Sequence, residues 1–234
     1  MTMLKINGLH THIEQFHILQ GVDLEVPEGS VTVVLGRNGA GKTTTIRSIM
    51  GFYPNMKGEI LFKEESLMNS PTYTIAKKGI GYVPEDQDIF AGLTVEENMR
   101  VAMRKEDDKT FERQEWLLGL FPDLKTAWKR KGGHLSGGQK QMLSIARALV
   151  NETPLLLIDE PSKGLAPIMV EKVMEAMNVI RETTTILLVE QNFMMASQLG
   201  DYFYMIDEGR TVFDGSMQLL LDDEGLRKKY LGIA

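Results

Sequence analysis

The chain has 234 residues, 43% hydrophobic and 25% charged, a globular composition that excludes a disordered or fibrous chain. With 32 acidic against 26 basic residues the formal net charge is -6, so no overall basic field attracts nucleic acid, and no nucleic-acid partner is expected. The absence of cysteine excludes disulfides, thiolate metal sites and a cysteine nucleophile; with no apolar run of about 18 residues and no leader pattern after Met1, the expectation is an intracellular chain without a membrane span.

From residues 4–7 through 22–26 apolar and polar residues alternate, as in antiparallel strands with one solvated face. Val31-Thr32-Val33-Val34-Leu35 is a nearly continuous β-branched run, the pattern of a strand buried on both faces. It leads into glycines and a short helix that Gly51 can stop. Residues 58–64 return to strand-like alternation, and from about residue 94 to 150 the pattern is helical, strongest over 95–105, 109–120 and 136–150. This predicts a helical subdomain over about residues 90–150, inserted in an α/β core. Residues 155–158 and 185–189 predict two more buried strands, with Pro167 placed for the first turn of the helix between them. Residues 202–207 and 210–213 flank Glu208-Gly209 as a closing hairpin. The sum is an α/β chain with a mainly parallel sheet, of a length that fits one large domain or two small ones.

Gly36-Arg37-Asn38-Gly39-Ala40-Gly41-Lys42-Thr43 matches G-x-x-x-x-G-K-[ST] between a buried strand and a helix, the context of a phosphate-binding loop. Backbone N–H groups there turn toward one anion, the helix start adds partial positive charge, Lys42 reaches the β and γ phosphates, and the Thr43 hydroxyl ligates Mg2+. Thr44 completes the set of candidate nucleotide-binding residues. The strand ending in Asp159-Glu160 brings two carboxylates to the carboxyl edge of the sheet beside that loop. Asp159 can hold Mg2+, directly or through water, and Glu160 points to where an attacking water would lie. Leu135-Ser136-Gly137-Gly138-Gln139 reads locally as a capping box with Ser136 as N-cap, but a cap does not call for two consecutive glycines.

These three motifs, in this order and across essentially the whole chain, resemble the ATP-binding cassette (ABC) family of P-loop ATPases. The resemblance implies a single nucleotide-binding domain over residues 1–234, with an antiparallel β lobe and an inserted helical subdomain, using ATP and Mg2+. It also implies a head-to-tail pair in which Ser136, Gly137, Gly138 and Gln139 of one subunit meet the γ phosphate held by the other. The segments Leu93-Thr94-Val95-Glu96-Glu97-Asn98, Pro161-Ser162-Lys163-Gly164-Leu165-Ala166-Pro167, Leu187-Leu188-Val189-Glu190-Gln191-Asn192 and Arg227-Lys228-Lys229-Tyr230-Leu231-Gly232 look like those of branched-chain amino acid importer ATPases, in particular their second, shorter one. On that resemblance the chain hydrolyses ATP to drive import of branched-chain or related amino acids or amides. Its partners would be a second ABC ATPase, related or identical, separate membrane permease subunits docking near residues 85–91, and an extracytoplasmic receptor. Its place would be peripheral, at the cytoplasmic face of the membrane. A soluble non-transport ABC ATPase and a weakly hydrolysing regulatory subunit are the alternatives.

Three positions depart from the broad family pattern. Glu85 stands where most members have Gln, and its carboxylate is still a candidate to contact Mg2+ or its water. Gln191 stands where most have a switch His; with Glu160 it is a catalytic candidate, able to donate a hydrogen bond to the γ phosphate without a titratable charge. The aromatic that stacks on adenine aligns with Ile13, with Phe16 nearby, so the adenine-side candidates offer apolar packing in place of a stacked ring. His10, His12 and His17 lie close in sequence but have no carboxylate or thiolate to complete a metal set.

Overall fold

The computed structural model describes residues 1–232; residues 233 and 234 of the expected domain lie outside the described residues. Alternation sustained over twelve residues makes β1 (Thr2–Ile13) and β2 (Phe16–Pro27) long, and they pair antiparallel down to Ile13↔Phe16 at the hairpin tip. Their inward residues, among them Leu4, Ile6, Leu9, Val22 and Leu24, are buried. The outer face, expected to be solvated, is mostly half-buried, and β2 is tied at Gln20 and Asp23 to a hairpin near the end of the chain.

The unbroken apolar run becomes β3 (Val31–Leu35), buried at every residue, and its turn opens into α1 (Lys42–Ile49), after which Gly51 has φ +71°. Next come β4 (Met56–Phe62) and β5 (Glu65–Ser66), which complete a four-stranded antiparallel sheet in the order β2-β1-β4-β5. α2 (Thr72–Lys77) and β6 (Ile80–Val83) follow; both are too short to show a period in the sequence. Then come α3 (Val95–Ala102), α4 (Asp108–Leu120), α5 (Pro122–Thr126) and α6 (Gly137–Leu149), leading to β7 (Leu155–Asp159). Since β6 and β7 are adjacent and parallel, this whole helical stretch is the crossover of one strand pair. α6 joins it to the sheet, touching β6 as well as α3, α4 and α5.

The rest of the chain supplies α7 (Pro167–Ile180), with Pro167 at its first position, β8 (Thr185–Val189) and α8 (Phe193–Leu199). It ends in the hairpin β9 (Tyr202–Asp207) and β10 (Arg210–Ser216), then α9 (Met217–Asp222) and α10 (Glu224–Tyr230). The second sheet has the order β10-β9-β3-β8-β7-β6, with only β10 antiparallel to its neighbour.

Period 2 splits the central strands between two cores. Val33, Leu35, Leu156, Ile158, Ile186 and Leu188 face the helices, with Phe121, Met142 and Leu143. Val34, Leu155, Leu157, Leu187 and Val189 face α1 and the antiparallel sheet, meeting Ile46, Ile49, Ile6 and Leu24. Burying both faces of the parallel strands in this way leaves their carboxyl edge as the place where polar loops gather.

Candidate active site

β3, β8 and β7 stand side by side and parallel. The loop after β3, the residues Glu190-Gln191 after β8 and the pair Asp159-Glu160 therefore emerge in one row along the same edge.

The loop over residues 36–41 is shaped by its neighbours. A Cβ on Gly36 would overlap the Ile206 carbonyl oxygen, and Gly41, with φ +109°, sits at the N-cap of α1 in the left-handed region where a side chain is strained. The turn between β9 and β10 braces the loop from outside: Gly209 N–H donates to the Ala40 carbonyl at 2.9 Å, and Gln20 N–H donates to the Gly209 carbonyl at 2.7 Å. Gly41 offers no capping side chain and the first turn of α1 has no acidic residue, so the N–H groups there are left for an anion from outside.

Lys42 is only 4% exposed. Its ammonium donates to the Gly36 and Arg37 carbonyls at 3.0 and 3.2 Å and lies 3.5 Å from Oε1 of Glu160. Thr43 donates its hydroxyl to Oδ1 of Asp159 at 3.1 Å, while the other oxygen of that fully buried carboxylate, Oδ2, has no partner. Burial raises the Asp159 carboxyl from 3.8 to about 6; the Thr43 hydrogen bond opposes the shift, and the charges of Glu160 and Glu85 add to it. A buried carboxylate oxygen without a donor is costly, and a hydroxyl beside a carboxylate is a donor set that suits a hard divalent cation such as Mg2+. These residues fit the ion that the sequence implies.

Glu160 adopts φ +44°, a conformation uncommon outside glycine. Two backbone bonds hold it there: its N–H donates to the Val189 carbonyl at 2.9 Å, and its carbonyl accepts from Lys163 N–H at 3.1 Å. Its carboxylate helps line a cleft of about 370 Å3, together with Asn38, Gly39, Gly41 to Thr44, Glu85, Ile18 and Lys163. Within it Glu85 is ion-paired with Lys163. Neither Lys163 nor Ile18 was a site candidate from the sequence, because each belongs to the site through the folding of its strand or turn and not through a motif.

The remaining candidates lie outside this cleft. Ile13 and Phe16 face each other at the tip of the β1–β2 hairpin, with Phe16 58% exposed, and it is Ile18 that reaches the cleft wall. Gln191 is exposed beyond the end of β8. Ser136 and Gln139 complete the capping box at the start of α6: Gln139 N–H donates to Ser136 Oγ at 3.3 Å and Ser136 N–H donates to Gln139 Oε1 at 3.1 Å. The two glycines between them differ. A Cβ on Gly138 would overlap Met169 of α7, whereas a Cβ on Gly137 would meet only a Leu165 methyl at 3.8 Å, so packing within the chain does not demand glycine at 137. His12 stacks on His17 at 4.1 Å, and Nδ1 of His10 lies 3.1 Å from Nε2 of His17. Among the described residues no group of three or more His, Cys, Asp or Glu side chains is arranged to hold a metal.

Residues 19–163 match the ABC transporter family. The chain is 37% identical to the probable branched-chain amino acid transport ATP-binding protein LivF of Archaeoglobus fulgidus, over 99% of both chains. It is 38% identical to the high-affinity branched-chain amino acid transport ATP-binding protein BraG of Pseudomonas aeruginosa, over 98% of this chain and 100% of that one. The fold matches a crystal structure of a nucleotide-free ATP-binding cassette from an ABC transporter with a TM-score of 0.86, at 24% identity and over the full length of both chains. The chain therefore belongs to the ABC transporter family, as an ATP-binding subunit and ATPase.

Proposed function

We propose that this ATPase drives import of branched-chain or related amino acids or amides through separate membrane permeases, as a single cassette domain paired head to tail with a second cassette subunit. The observation that carries the hydrolytic part is the meeting of Lys42, Thr43, Asp159 and Glu160 in one place, with Oδ2 of Asp159 lacking a donor. The cargo class is supported by the end-to-end likeness to LivF and BraG.

In this reading the N–H groups of residues 36–41 and of the start of α1 take the phosphates, with Lys42 leaving Glu160 for the β and γ phosphates and Thr44 at the cleft wall. Thr43 and Asp159 would hold Mg2+, with Glu85 beside them, and the ion would supply positive charge to offset that of the phosphates. Glu160, released from Lys42, orients the attacking water and accepts its proton. Gln191 donates its amide to the γ phosphate. Ser136, Gly137, Gly138 and Gln139 present a helix start to the nucleotide of the other subunit, and the openness of Gly137 supports that approach. Ile13, Phe16 and Ile18 offer apolar packing on the adenine side.

No helix among the described residues is long and apolar enough to cross a membrane. The chain would sit peripherally at the cytoplasmic face, with the receptor across the membrane. A cleft of about 520 Å3 lined by Arg47, Phe52, Tyr82, Gln87, Asp88 and Arg147 supports docking of a permease segment beside residues 85–91. The test is uptake of labelled leucine by vesicles holding the chain, its permeases, its receptor and enclosed ATP with Mg2+. Uptake that stops in Glu160→Gln supports the reading; ATP turnover without uptake of any aliphatic amino acid or amide contradicts the cargo.

A further inference from the structure

β8 ends between the two strands that carry the phosphate loop and the Asp159-Glu160 pair, and its end bears a carboxylate that the reaction outlined above does not use. Glu190 is 1% exposed. Its N–H donates to the Val34 carbonyl at 3.2 Å, in the strand that leads to the phosphate loop. The carbonyl just before it, of Val189, receives the Glu160 N–H. The side chain then spans two loops: Oε1 accepts Ser162 N–H at 3.0 Å, and Oε2 accepts Gln191 N–H at 2.9 Å and Asn192 N–H at 2.8 Å.

Burying a carboxylate is expensive, and an apolar side chain would fill the place without that cost. What the carboxylate adds is three charge-assisted bonds to backbone groups of two separate turns. One turn begins at Glu160, whose left-handed backbone is closed by the Lys163 N–H bond to its carbonyl. The other carries Gln191 and, with Asn192 as N-cap, starts α8. The Glu160 N–H bond to the Val189 carbonyl ties the first turn to the end of β8, and beyond it the two turns are joined through the Glu190 carboxylate. Burial raises the Glu190 carboxyl, and the Ser162, Gln191 and Asn192 bonds oppose that shift.

We propose that Glu190 is a positioning residue that fixes the Glu160 turn relative to Gln191 and so sets the geometry of attack on the γ phosphate without contributing to nucleotide affinity. This rests on the roles given above to Glu160 and Gln191.

The test is Glu190→Gln, which keeps shape but places an NH2 group against at least one of the three N–H donors. The full chain would be followed by hydrogen exchange and by binding of a methylanthraniloyl ATP analogue, and the permease complex by steady-state turnover. Expected are faster exchange confined to Ser162, Gln191 and Asn192, a kcat lower by about tenfold to a hundredfold, and a KM and analogue affinity within about twofold of the parent. Glu190→Asp, which keeps the charge but withdraws both oxygens by one methylene, is expected to lose kcat as well, separating geometry from charge. An unchanged kcat despite faster exchange overturns the proposal, as does a kcat that falls only together with affinity and thermal midpoint, the mark of a merely structural carboxylate. Glu160→Gln in the same complex keeps the two readings apart: undiminished turnover there removes Glu160 from its role, while exchange at Ser162 still judges the clamp.

Discussion

At the phosphate-loop edge Oδ2 of Asp159 has no donor, Lys42 folds back onto its own loop, and Glu160 holds a left-handed backbone. At the start of α6, Ser136 and Gln139 satisfy each other's N–H groups, and neither they nor the glycines between them line the cleft. Both regions are glycine-bearing helix starts, the kind of place that binds anions. The first is incomplete within its own chain, whereas the second carries a complete capping box. The lesson is that the cleft is built around something brought in from outside, whereas at the start of α6 the capping box serves Ser136 and Gln139 and the packing of Met169 accounts for Gly138, so that Gly137 alone is a glycine without a reason inside the chain.

Five substitutions break or sharpen that contrast. The largest effect belongs to Glu160→Gln: turnover in the permease complex should fall by about a hundredfold or more, the range for removing a general base, with nucleotide still bound. Turnover close to the parent's would remove the carboxylate from that role.

Asp159 comes second. Its carboxyl is raised to about 6 in the folded chain, above the ordinary 3.8, so the folded form binds that proton more tightly than the unfolded form does. Ionisation therefore costs stability above pH 6, and the cost is relieved as the pH falls toward 3.8. At 1.36 kcal/mol per unit this is up to ~3 kcal/mol. Without nucleotide, Asp159→Asn should be the more stable protein near pH 8 by up to about that amount, the gap closing as the pH approaches about 4, while dependence of ATP binding on Mg2+ weakens. Denaturant melts at the two pH values measure it, and equal stability at the higher pH would contradict the account of the orphaned oxygen.

The two glycines of α6 give the third contrast. Gly138→Ala forces Met169 aside and should cost about 1 kcal/mol, the overpacking exceeding the gain in helix propensity. Gly137→Ala should leave the isolated chain as stable as the parent or up to about 1 kcal/mol more stable, yet lower turnover in the assembled complex. If Gly137→Ala turns over normally there, close approach by a second subunit is wrong. Smallest is Lys163→Ala: the lysine of this ion pair is mostly exposed while Glu85 is half-buried, and the change in stability should stay within about 1 kcal/mol.

The sequence made the edge legible where chemistry needs a pattern. The glycines of the phosphate loop, the apolar run ending in Asp159 and the Ser136 cap each have a local signature, as do the fully buried β3, β7 and β8. What stayed hidden depends on folding at a distance. β6 is four residues long and identifiable only through its pairing with β7, and α2 has six residues. Ile18 reaches the cleft because β2 is pinned by Gly209, and Lys163 because the turn after Glu160 faces Glu85. The half-buried outer face of the first sheet likewise follows from a hairpin almost two hundred residues further on, where Thr211 bonds with Asp23. Spacing of apolar residues carries no information about such meetings.

The most direct test is the structure of the assembled complex carrying Glu160→Gln and bound to ATP and Mg2+. The account predicts Lys42 moved from residue 160 to the β and γ phosphates, the metal ion at Thr43 and Asp159, and Ser136 to Gln139 of one cassette subunit facing the γ phosphate held by the other. A nucleotide whose γ phosphate is enclosed by its own chain alone, with Ser136 to Gln139 facing solvent, would contradict it.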